Sequence, residues 1–260
     1  MALYTHTSGT GPDLLLLHGW GLHGGIWEPL LALLEPHFRV SCVDLPGHGR
    51  SGWQGERTLD ESVEAVLSVA PPAAAWLGWS LGGLVAARAA MLAPERVNAL
   101  VEIASSPCFV CRPGWQSAML PALLDTFAAE LAEDYMRTLN RFLALQVRGS
   151  ENSAATLKRL RILMLVQGEP NADALRAGLE LLRTTDLRER LGAVECPVLL
   201  LAGERDTLVP LIAMQAARDL FSAATLRVID GAGHAPFISH PEEVVRLIAE
   251  FLREDIAQGC

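Results

Sequence analysis

Short, continuously apolar runs recur along the chain and alternate with longer stretches whose apolar residues repeat at helical spacing. Leu14 to Leu17, Ala73 to Leu77 and Val198 to Ala202 are apolar throughout, which is typical of strands that are buried on both faces. The stretches between consecutive strands are too long for hairpins. This alternation predicts an α/β fold in which helices cover both faces of a mostly parallel central sheet.

The same pattern places the individual elements. The predicted strands are Ala2 to Thr7, Leu14 to Leu17, Phe38 to Val43, Ala73 to Leu77, Val97 to Ile103, Val198 to Ala202 and Thr225 to Ile229. The predicted helices between them are Ile26 to Leu34, Leu59 to Val69, Leu84 to Ala93, Leu211 to Leu220 and Pro241 to Leu252, with a frayed tail after Glu254.

The alternation stops between Pro113 and Arg190, where strand-like runs are absent and the pattern is helical. The predicted helices there are Met119 to Ala132, Glu133 to Arg148, Ala154 to Val166 and Asp173 to Thr184. An all-helical insertion between two strands of a parallel sheet is most simply a lid above the carboxyl edge, where such sheets bind ligands. We therefore predict a core formed by residues 1–112 and 191–260 and a helical lid over residues 113–190.

Composition narrows the class of protein. The 260 residues suit one α/β domain with an insertion, and no apolar run approaches the ~18 residues that a membrane span needs. The segment Met1 to His6 lacks the basic start and apolar centre of a signal peptide. A net charge of -9 argues against broad nucleic-acid binding. We expect a cytoplasmic monomer that binds neither nucleic acid nor membrane.

Cysteine usage and the absence of known cofactor motifs point the same way. The five cysteines are odd in number and scattered, which suits reduced thiols. Only Cys108 and Cys111 have metal-like spacing, and neither a second cysteine pair nor a His-x-x-x-His pattern accompanies them. The chain carries no nicotinamide or phosphate-loop motif, so we expect neither a metal nor a cofactor.

The stretch Gly78-Trp79-Ser80-Leu81-Gly82-Gly83 follows a predicted strand and precedes a run of small residues with helical spacing. A Gly-x-Ser-x-Gly pattern between strand and helix is typical of a nucleophile elbow, which holds its serine in a strained turn above the sheet. Taken alone, the pattern also fits an ordinary turn. The sequence nevertheless makes Ser80 the candidate nucleophile.

A serine nucleophile needs a base, and the base needs an acidic partner. Asp206 and His234 each follow a late predicted strand, and the order Ser, Asp, His is the one that nucleophile-elbow folds use. His234 is the predicted general base and Asp206 the residue that orients it, with Glu204 as an alternative acid. The backbone N–H groups of Trp20 and Leu81 are the predicted oxyanion hole, since one donor follows the nucleophile and the other lies in the early loop.

These residues resemble a known family. His18-Gly19-Trp20-Gly21, the Gly78 to Gly83 stretch, Asp206 and His234 are similar to those of the α/β-hydrolase superfamily. More narrowly, Leu17 to Gly21, Gly78 to Gly83, Phe142-Leu143-Ala144-Leu145-Gln146 and His234 to Pro241 resemble the pimeloyl-[acyl-carrier protein] methyl ester esterases of biotin biosynthesis. The resemblance implies a carboxylesterase that releases methanol from an ester carried by acyl carrier protein. It also implies that Trp20, Ser80, Leu81, Phe142, Leu143, Ala144, Leu145, Gln146 and His234 bind substrate.

The predicted lid carries a local excess of positive charge. Between Tyr135 and Arg161 the basic residues are Arg137, Arg141, Arg148, Lys158, Arg159 and Arg161, and Glu151 is the acid among them. Such a face on an acidic protein suits an acidic partner such as acyl carrier protein. We assign docking to Arg137, Arg141, Lys158 and Arg159, while Ala154 stands where the resemblance implies a basic residue. The alternative is a solvated surface that pairs with acids elsewhere in the fold.

Two other functions remain open from the residues alone. One is hydrolysis of short esters, lactones or carbon–carbon bonds on the same scaffold. The other is a ligand receptor that kept the fold without the chemistry, against which the serine, histidine and acid all argue. A dehalogenase is disfavoured because its elbow nucleophile is a carboxylate, whereas position 80 is serine.

Overall fold

The computed structural model describes residues 3–55, 58–168 and 170–258, with the side chains described as far as residue 253. Its centre is a seven-stranded sheet in the order β1-β3-β2-β4-β5-β6-β7. The strands are β1 Thr5–Ser8, β2 Asp13–Leu17, β3 Arg39–Val43, β4 Ala74–Trp79, β5 Val97–Ile103, β6 Val198–Gly203 and β7 Ala224–Ile229. All neighbours pair in parallel except β1 and β3, which pair antiparallel.

Helices follow the strands along the chain. They are α1 Glu28–Leu34, α2 Leu59–Leu67, α3 Leu81–Leu92, α4 Pro121–Glu133, α5 Tyr135–Gln146, α6 Ser153–Met164, α7 Ala172–Thr184, α8 Leu211–Arg218, α9 Pro236–Ser239 and α10 Pro241–Gln258. The fully buried side chains of β2, β4 and β6 lie between these helical layers. Within the described residues, no helix is both long and apolar enough to cross a membrane.

The structure confirms the predicted mostly parallel α/β sheet and shifts several element boundaries. The first strand is β1 at Thr5–Ser8, whereas the prediction began at Ala2, which lies outside the described residues. Its antiparallel pairing is possible because the short turn after Ser8 leads β1 and β2 to opposite sides of β3. Helix α10 continues to Gln258, beyond the predicted start of fraying at Glu254, because no glycine or proline interrupts it before Gly259.

Four helices, α4 to α7, lie between β5 and β6 in the chain, and we call them the inserted helices. The predicted start of the second of these at Glu133 is two residues early. Asp134 has an extended backbone and its side chain accepts a hydrogen bond from the Arg137 N–H, so it caps α5 and separates it from α4. That these helices act as a lid stays a prediction.

One carboxyl group is buried inside the sheet beside the strand that leads to Ser80. Glu102 of β5 is in register with Gly78 of β4 and is 3% exposed. Burial raises the pKa of its carboxyl group from 4.5 to about 8, because an apolar surrounding disfavours the charged form. Glu102 is therefore mostly protonated at neutral pH.

This carboxyl group is expected to lower the free energy of unfolding as the pH rises. Between pH 4.5 and about 8 the folded state keeps the Glu102 proton that the unfolded chain releases, so stability falls across that window. Glu102→Gln removes the titration, and at pH 9 the variant should be more stable than the wild type by up to about 5 kcal/mol. Denaturant unfolding at pH 5 and pH 9 measures this, and an unchanged pH dependence in the variant contradicts it.

Candidate active site

Ser80 alone connects β4 to α3, and its backbone φ of +55° lies in the left-handed region that disfavours side chains. The turn is tight because glycines flank it. A Cβ on Gly78 would lie 2.3 Å from the Gly82 carbonyl oxygen, and a Cβ on Gly82 would lie 2.3 Å from the Leu17 carbonyl oxygen. The local sequence therefore packs the start of α3 against both β4 and the end of β2, with Ser80 at their junction.

The structure brings the three predicted catalytic side chains together. His234 Nε2 lies 3.0 Å from Ser80 Oγ, and His234 Nδ1 lies 2.7 Å from Asp206 Oδ2. All three residues are at most 5% exposed. Asp206 follows β6 and His234 follows β7, so both loops leave the carboxyl edge of the sheet where Ser80 also lies.

The hydrogen bonds around Asp206 fix the protonation pattern of the histidine. Asp206 Oδ1 accepts hydrogen bonds from the backbone N–H groups of Leu208 and Val209, at 2.8 and 3.0 Å, which orients the carboxylate. Its other oxygen, Oδ2, accepts the Nδ1 proton of His234. Nε2 is then the unprotonated nitrogen and faces the Ser80 hydroxyl, which is the arrangement that a general base requires.

The alternative acid, Glu204, has a different contact. Its Oε2 accepts a hydrogen bond from the Gly231 N–H at 2.9 Å, and the carboxylate also lies 3.5 Å from the Arg205 guanidinium. Its side chain is 47% exposed. Glu204 therefore connects the loop after β6 to the loop after β7, whereas Asp206 contacts the histidine.

The loop that carries His234 is held from two sides. Trp79 Nε1, immediately before Ser80, donates to the His234 carbonyl oxygen at 2.7 Å. The His234 N–H donates to the Gln146 carbonyl oxygen at the end of α5, at 2.9 Å. The Glu151 N–H also donates to the Gly231 carbonyl oxygen at 2.9 Å. The inserted helices thus contribute directly to the position of the histidine.

The predicted oxyanion loop lies beside the elbow. A Cβ on Gly19 would lie 3.3 Å from Ser80 Cβ, so the loop backbone closely approaches the serine. His18 Nδ1 bonds to the Gly19 carbonyl oxygen at 2.8 Å, and His18 Nε2 accepts the Leu45 N–H at 2.9 Å. The Gly19 carbonyl and the Trp20 N–H belong to one peptide unit and point in opposite directions. Through this contact, His18 restricts the direction of the Trp20 N–H.

Both predicted oxyanion donors are available. In the part of the chain that the structure describes, the Trp20 N–H has no protein acceptor. Leu81 is the first residue of α3, and the first N–H groups of a helix have no acceptor within it. Burial lowers the pKa of His18 well below its usual range, so this residue is neutral and structural. The oxyanion role of Trp20 and Leu81 stays a prediction.

The family resemblance implies that residues 142–146 of α5 bind substrate, and these five residues lie on different faces of the helix. Phe142 and Leu143 are buried, and the Phe142 ring meets the Trp20 ring edge-on with 4.9 Å between centroids. Gln146 is also buried, and its Oε1 has no hydrogen-bond partner among the described residues. Ala144 is exposed, and Leu145 is half-buried. Consecutive helical residues are ~100° apart, so the five cannot all face one pocket, and Ala144 does not belong to the buried set.

The three arginines predicted to dock the carrier all lie close to acidic side chains. This corrects the expectation that Glu151 is the acid among the basic residues of this face. Arg137 lies 3.6 Å from Glu133, and Arg141 forms an ion pair with Glu130, both of α4. Arg159 forms an ion pair with Glu28 of α1. The acids come from neighbouring helices that a count within residues 135–161 does not include.

The sequence reasoning missed the contacts between the inserted helices and Trp20. Trp20 Nε1 donates to the Leu175 carbonyl oxygen of α7 at 2.8 Å, and a Cβ on Gly178 of the same helix would lie 2.6 Å from Trp20 Cδ1. One signal was present, because a glycine in the middle of an otherwise good helical pattern usually has a packing reason. Its partner was not visible, since Trp20 is far away in the chain.

Comparison with known proteins agrees with this geometry. A family model described as the alpha/beta hydrolase fold matches residues 12–241. Among solved structures, a hydrolase from Pseudomonas aeruginosa PA01 superposes with a TM-score of 0.81 at 28% identity, covering 96% of this chain and 94% of that one. An esterase from Exiguobacterium antarcticum superposes with a TM-score of 0.87 at 20% identity, covering 96% and 95%, and supports the fold alone.

Curated relatives match over nearly the whole chain. The pimeloyl-[acyl-carrier protein] methyl ester esterase of Serratia marcescens is 46% identical over 252 residues, which cover 96% of this chain and 98% of that protein. The protein of the same name from Photobacterium profundum is 44% identical over 252 residues, covering 97% and 99%. The resemblance seen in the sequence motifs is therefore confirmed.

Proposed function

The chain belongs to the alpha/beta hydrolase fold family. We propose that it is a serine carboxylesterase that hydrolyses the methyl ester of pimeloyl-[acyl-carrier protein] in biotin biosynthesis. The observation that carries the chemistry is the continuous contact from Ser80 Oγ through His234 to Asp206, at 3.0 and 2.7 Å. The substrate class rests on the relatives that share 44 to 46% of their residues with this chain over nearly full length.

In the first half of the reaction, Ser80 Oγ attacks the ester carbonyl carbon while His234 Nε2 accepts the serine proton. The carbonyl oxygen becomes an oxyanion, and the N–H groups of Trp20 and Leu81 donate to it. Asp206 stabilises the imidazolium that forms. His234 then gives its proton to the leaving methoxide, so methanol departs and the acyl group stays on Ser80.

In the second half, a water molecule takes the place of methanol. His234 Nε2 accepts a proton from this water, whose oxygen attacks the acyl carbon through the same oxyanion arrangement. The bond to Ser80 Oγ breaks and the serine regains its proton from His234. The products are methanol and the free acid, which releases its proton to the solvent, and water is the co-reactant.

A small cavity of about 30 Å³ is lined by Leu81, which follows Ser80, and by Val85, Leu45, Ala177 and Gly178 among others, and it is mainly apolar. It must widen before a hydrocarbon chain can enter it. Buried apolar walls bind methylene groups at about 0.8 kcal/mol each. Ser80 is 3% exposed. We propose that residues 113–190 act as a lid and that an ester reaches the serine when the inserted helices shift.

The direct test is hydrolysis of two methyl esters by the purified protein. One carries the pimeloyl chain on acyl carrier protein, and the other is a free dicarboxylate monomethyl ester of the same length. We expect mass spectrometry to show loss of the methyl group from both, with a higher kcat/KM for the carrier-bound ester. Hydrolysis of neither ester contradicts an esterase function, whereas hydrolysis of the free ester alone contradicts the proposed substrate.

We propose further that the carrier docks on the exposed face of α5 and α6. Arg137, Arg141 and Lys158 are exposed there, together with Arg159 at its edge. Their ion pairs with Glu133, Glu130 and Glu28 lie at the surface, where such pairs contribute only about 0–1 kcal/mol. The arginines can therefore exchange these partners for the acidic residues of a carrier protein.

Charge reversal at this face is expected to separate carrier docking from chemistry. Arg137→Glu with Arg141→Glu should lower kcat/KM for the carrier-bound ester by about tenfold or more at low salt, because attraction between opposite charges speeds the encounter. The kcat/KM for the free ester should stay within about twofold, since neither arginine contacts the triad. Steady-state kinetics at two salt concentrations measures both effects.

The matched control carries the same change of net charge outside the inserted helices. Arg218 and Arg246, on α8 and α10, are exposed and also form surface ion pairs, with Asp219 and Glu250. Arg218→Glu with Arg246→Glu should leave both substrates unaffected apart from a small general effect of net charge. Equal losses in the two double variants would place the carrier elsewhere.

A further inference from the structure

Helix α7 contains a glycine where helix formation alone disfavours one. Gly178 lies in the middle of the 13-residue helix Ala172–Thr184, between the buried residues Leu175 and Leu179. A glycine in a helix interior destabilises the helix relative to alanine, because it loses more conformational freedom on folding. We therefore expect the packing around Gly178 to explain why the helix has a glycine there.

The reason is the indole ring of Trp20. A Cβ on Gly178 would lie 2.6 Å from Trp20 Cδ1, which is closer than real Cβ atoms pack, and 3.1 Å from Trp20 Nε1, which is a tight contact. The ring cannot move aside freely, because Trp20 Nε1 donates to the Leu175 carbonyl oxygen at 2.8 Å and the residue is 1% exposed. The Trp20 indole therefore lies along α7 between residues 175 and 178.

A second inserted helix holds the other side of the ring. Phe142 of α5 meets the Trp20 ring edge-on, with 4.9 Å between centroids and an interplanar angle of 77°. On its backbone side, the peptide unit before Trp20 is held by the His18 ring through the Gly19 carbonyl oxygen. The position of the Trp20 N–H therefore depends on two sets of contacts, those of the core through His18 and those of the inserted helices through the indole ring.

We propose that Gly178 is a positioning residue for the reaction: by leaving space for the Trp20 indole, it lets α7 hold Trp20 so that its N–H faces the oxyanion. This inference rests on the proposed serine-esterase chemistry. It also means that the oxyanion hole is complete only when α7 lies against the core. Opening of the inserted helices breaks the Nε1 contact with Leu175, so substrate admission and oxyanion stabilisation are linked.

The test compares two glycine-to-alanine variants on the free methyl ester, which needs no carrier. Gly178→Ala should fold, since alanine favours the helix, and should lower kcat by tenfold to several hundredfold with KM within about threefold. The upper end is set by the ~10²–10³ loss typical of removing one oxyanion donor. Gly192→Ala is the control, because a Cβ there meets nothing closer than the Leu220 carbonyl oxygen at 3.9 Å. Circular dichroism and thermal unfolding verify that both variants fold.

A double-mutant cycle identifies the route of the effect. Trp20→Ala removes the indole and keeps the backbone N–H, so Gly178→Ala should cause no further loss of kcat in that background. An undiminished loss there overturns the inference, as does a Gly178→Ala variant with wild-type kcat. A wild type that hydrolyses the free ester but not the carrier-bound one contradicts only the proposed substrate. A wild type that hydrolyses neither ester overturns both proposals.

Discussion

Replacing Ser80 with alanine is expected to lower the turnover of ester hydrolysis by about 10⁶-fold, the loss typical of removing the nucleophile from a serine triad. The oxygen that attacks the ester is gone, whereas His234 keeps its contact with Asp206 at 2.7 Å. Residual hydrolysis of ~10³–10⁴ over water is expected from the oxyanion donors and from binding. Mass-spectrometric detection of the free acid at high enzyme concentration covers this range.

The variant should fold like the wild type, because alanine keeps the Cβ and the backbone of the turn. Among the described residues, the hydrogen bond that Ser80 Oγ loses is the one with His234 Nε2, and such a bond contributes about 1 kcal/mol to stability. Ser222→Ala is a matched control, since that serine is exposed and its hydroxyl donates to the Gly192 carbonyl oxygen at 2.9 Å. Full activity in Ser80→Ala would place the nucleophile elsewhere. A serine-directed phosphonate should label the wild type and the control but not Ser80→Ala.

The core of the fold and the placement of the candidate triad were readable from the sequence because both follow local rules. Continuous apolar runs identify buried strands, and parallel strands bring their carboxyl ends to one edge of the sheet. Ser80, Asp206 and His234 each follow a predicted strand, so their proximity was predicted from topology before any contact was known. The choice between Asp206 and Glu204 as the acid could not be made from the sequence. It depends on which carboxylate in one short loop turns toward the histidine, and only the structure shows that.

Contacts between segments that are distant in the chain could not be predicted from the sequence. The pairing of Arg141 with Glu130 depends on how α4 and α5 cross, and the pairing of Arg159 with Glu28 joins helices that are far apart in the chain. Likewise, five consecutive residues of a motif suggested one binding surface, although helical geometry sends Ala144 to the solvent. A match to a motif shows which residues are present, whereas the helix or strand that holds each residue sets the direction of its side chain.

The position of Trp20 illustrates both kinds of information. Its place after a central strand predicted an oxyanion donor from local pattern alone. What holds it, a carbonyl of α7 and the ring of Phe142, comes from the inserted helices. The core thus supplies the predicted nucleophile, base and acid, while the inserted helices contact both the predicted oxyanion loop and the backbone of His234. The candidate active site and the inserted helices are therefore physically connected in this protein.

Asp206→Asn is expected to lower kcat by about 10⁴-fold with little change in the structure of the site. The N–H groups of Leu208 and Val209 both donate to one oxygen of residue 206, so an asparagine keeps its carbonyl oxygen there. Its NH₂ group then faces His234 Nδ1 in place of Asp206 Oδ2. A donor at that position requires Nδ1 to be unprotonated, which places the proton on Nε2. The histidine can then no longer accept the proton of Ser80.

Glu204→Gln is the matched control, because it makes the same carboxylate-to-amide change two residues earlier in the same loop. The glutamine oxygen can still accept the Gly231 N–H, which bonds to Glu204 at 2.9 Å, so kcat should stay within about threefold of the wild type. Steady-state kinetics on the free methyl ester measures both variants without involving carrier docking. A large loss in Glu204→Gln with a small loss in Asp206→Asn would reverse the assignment of the acid. Equal large losses would mean that the loop as a whole, rather than one carboxylate, positions His234.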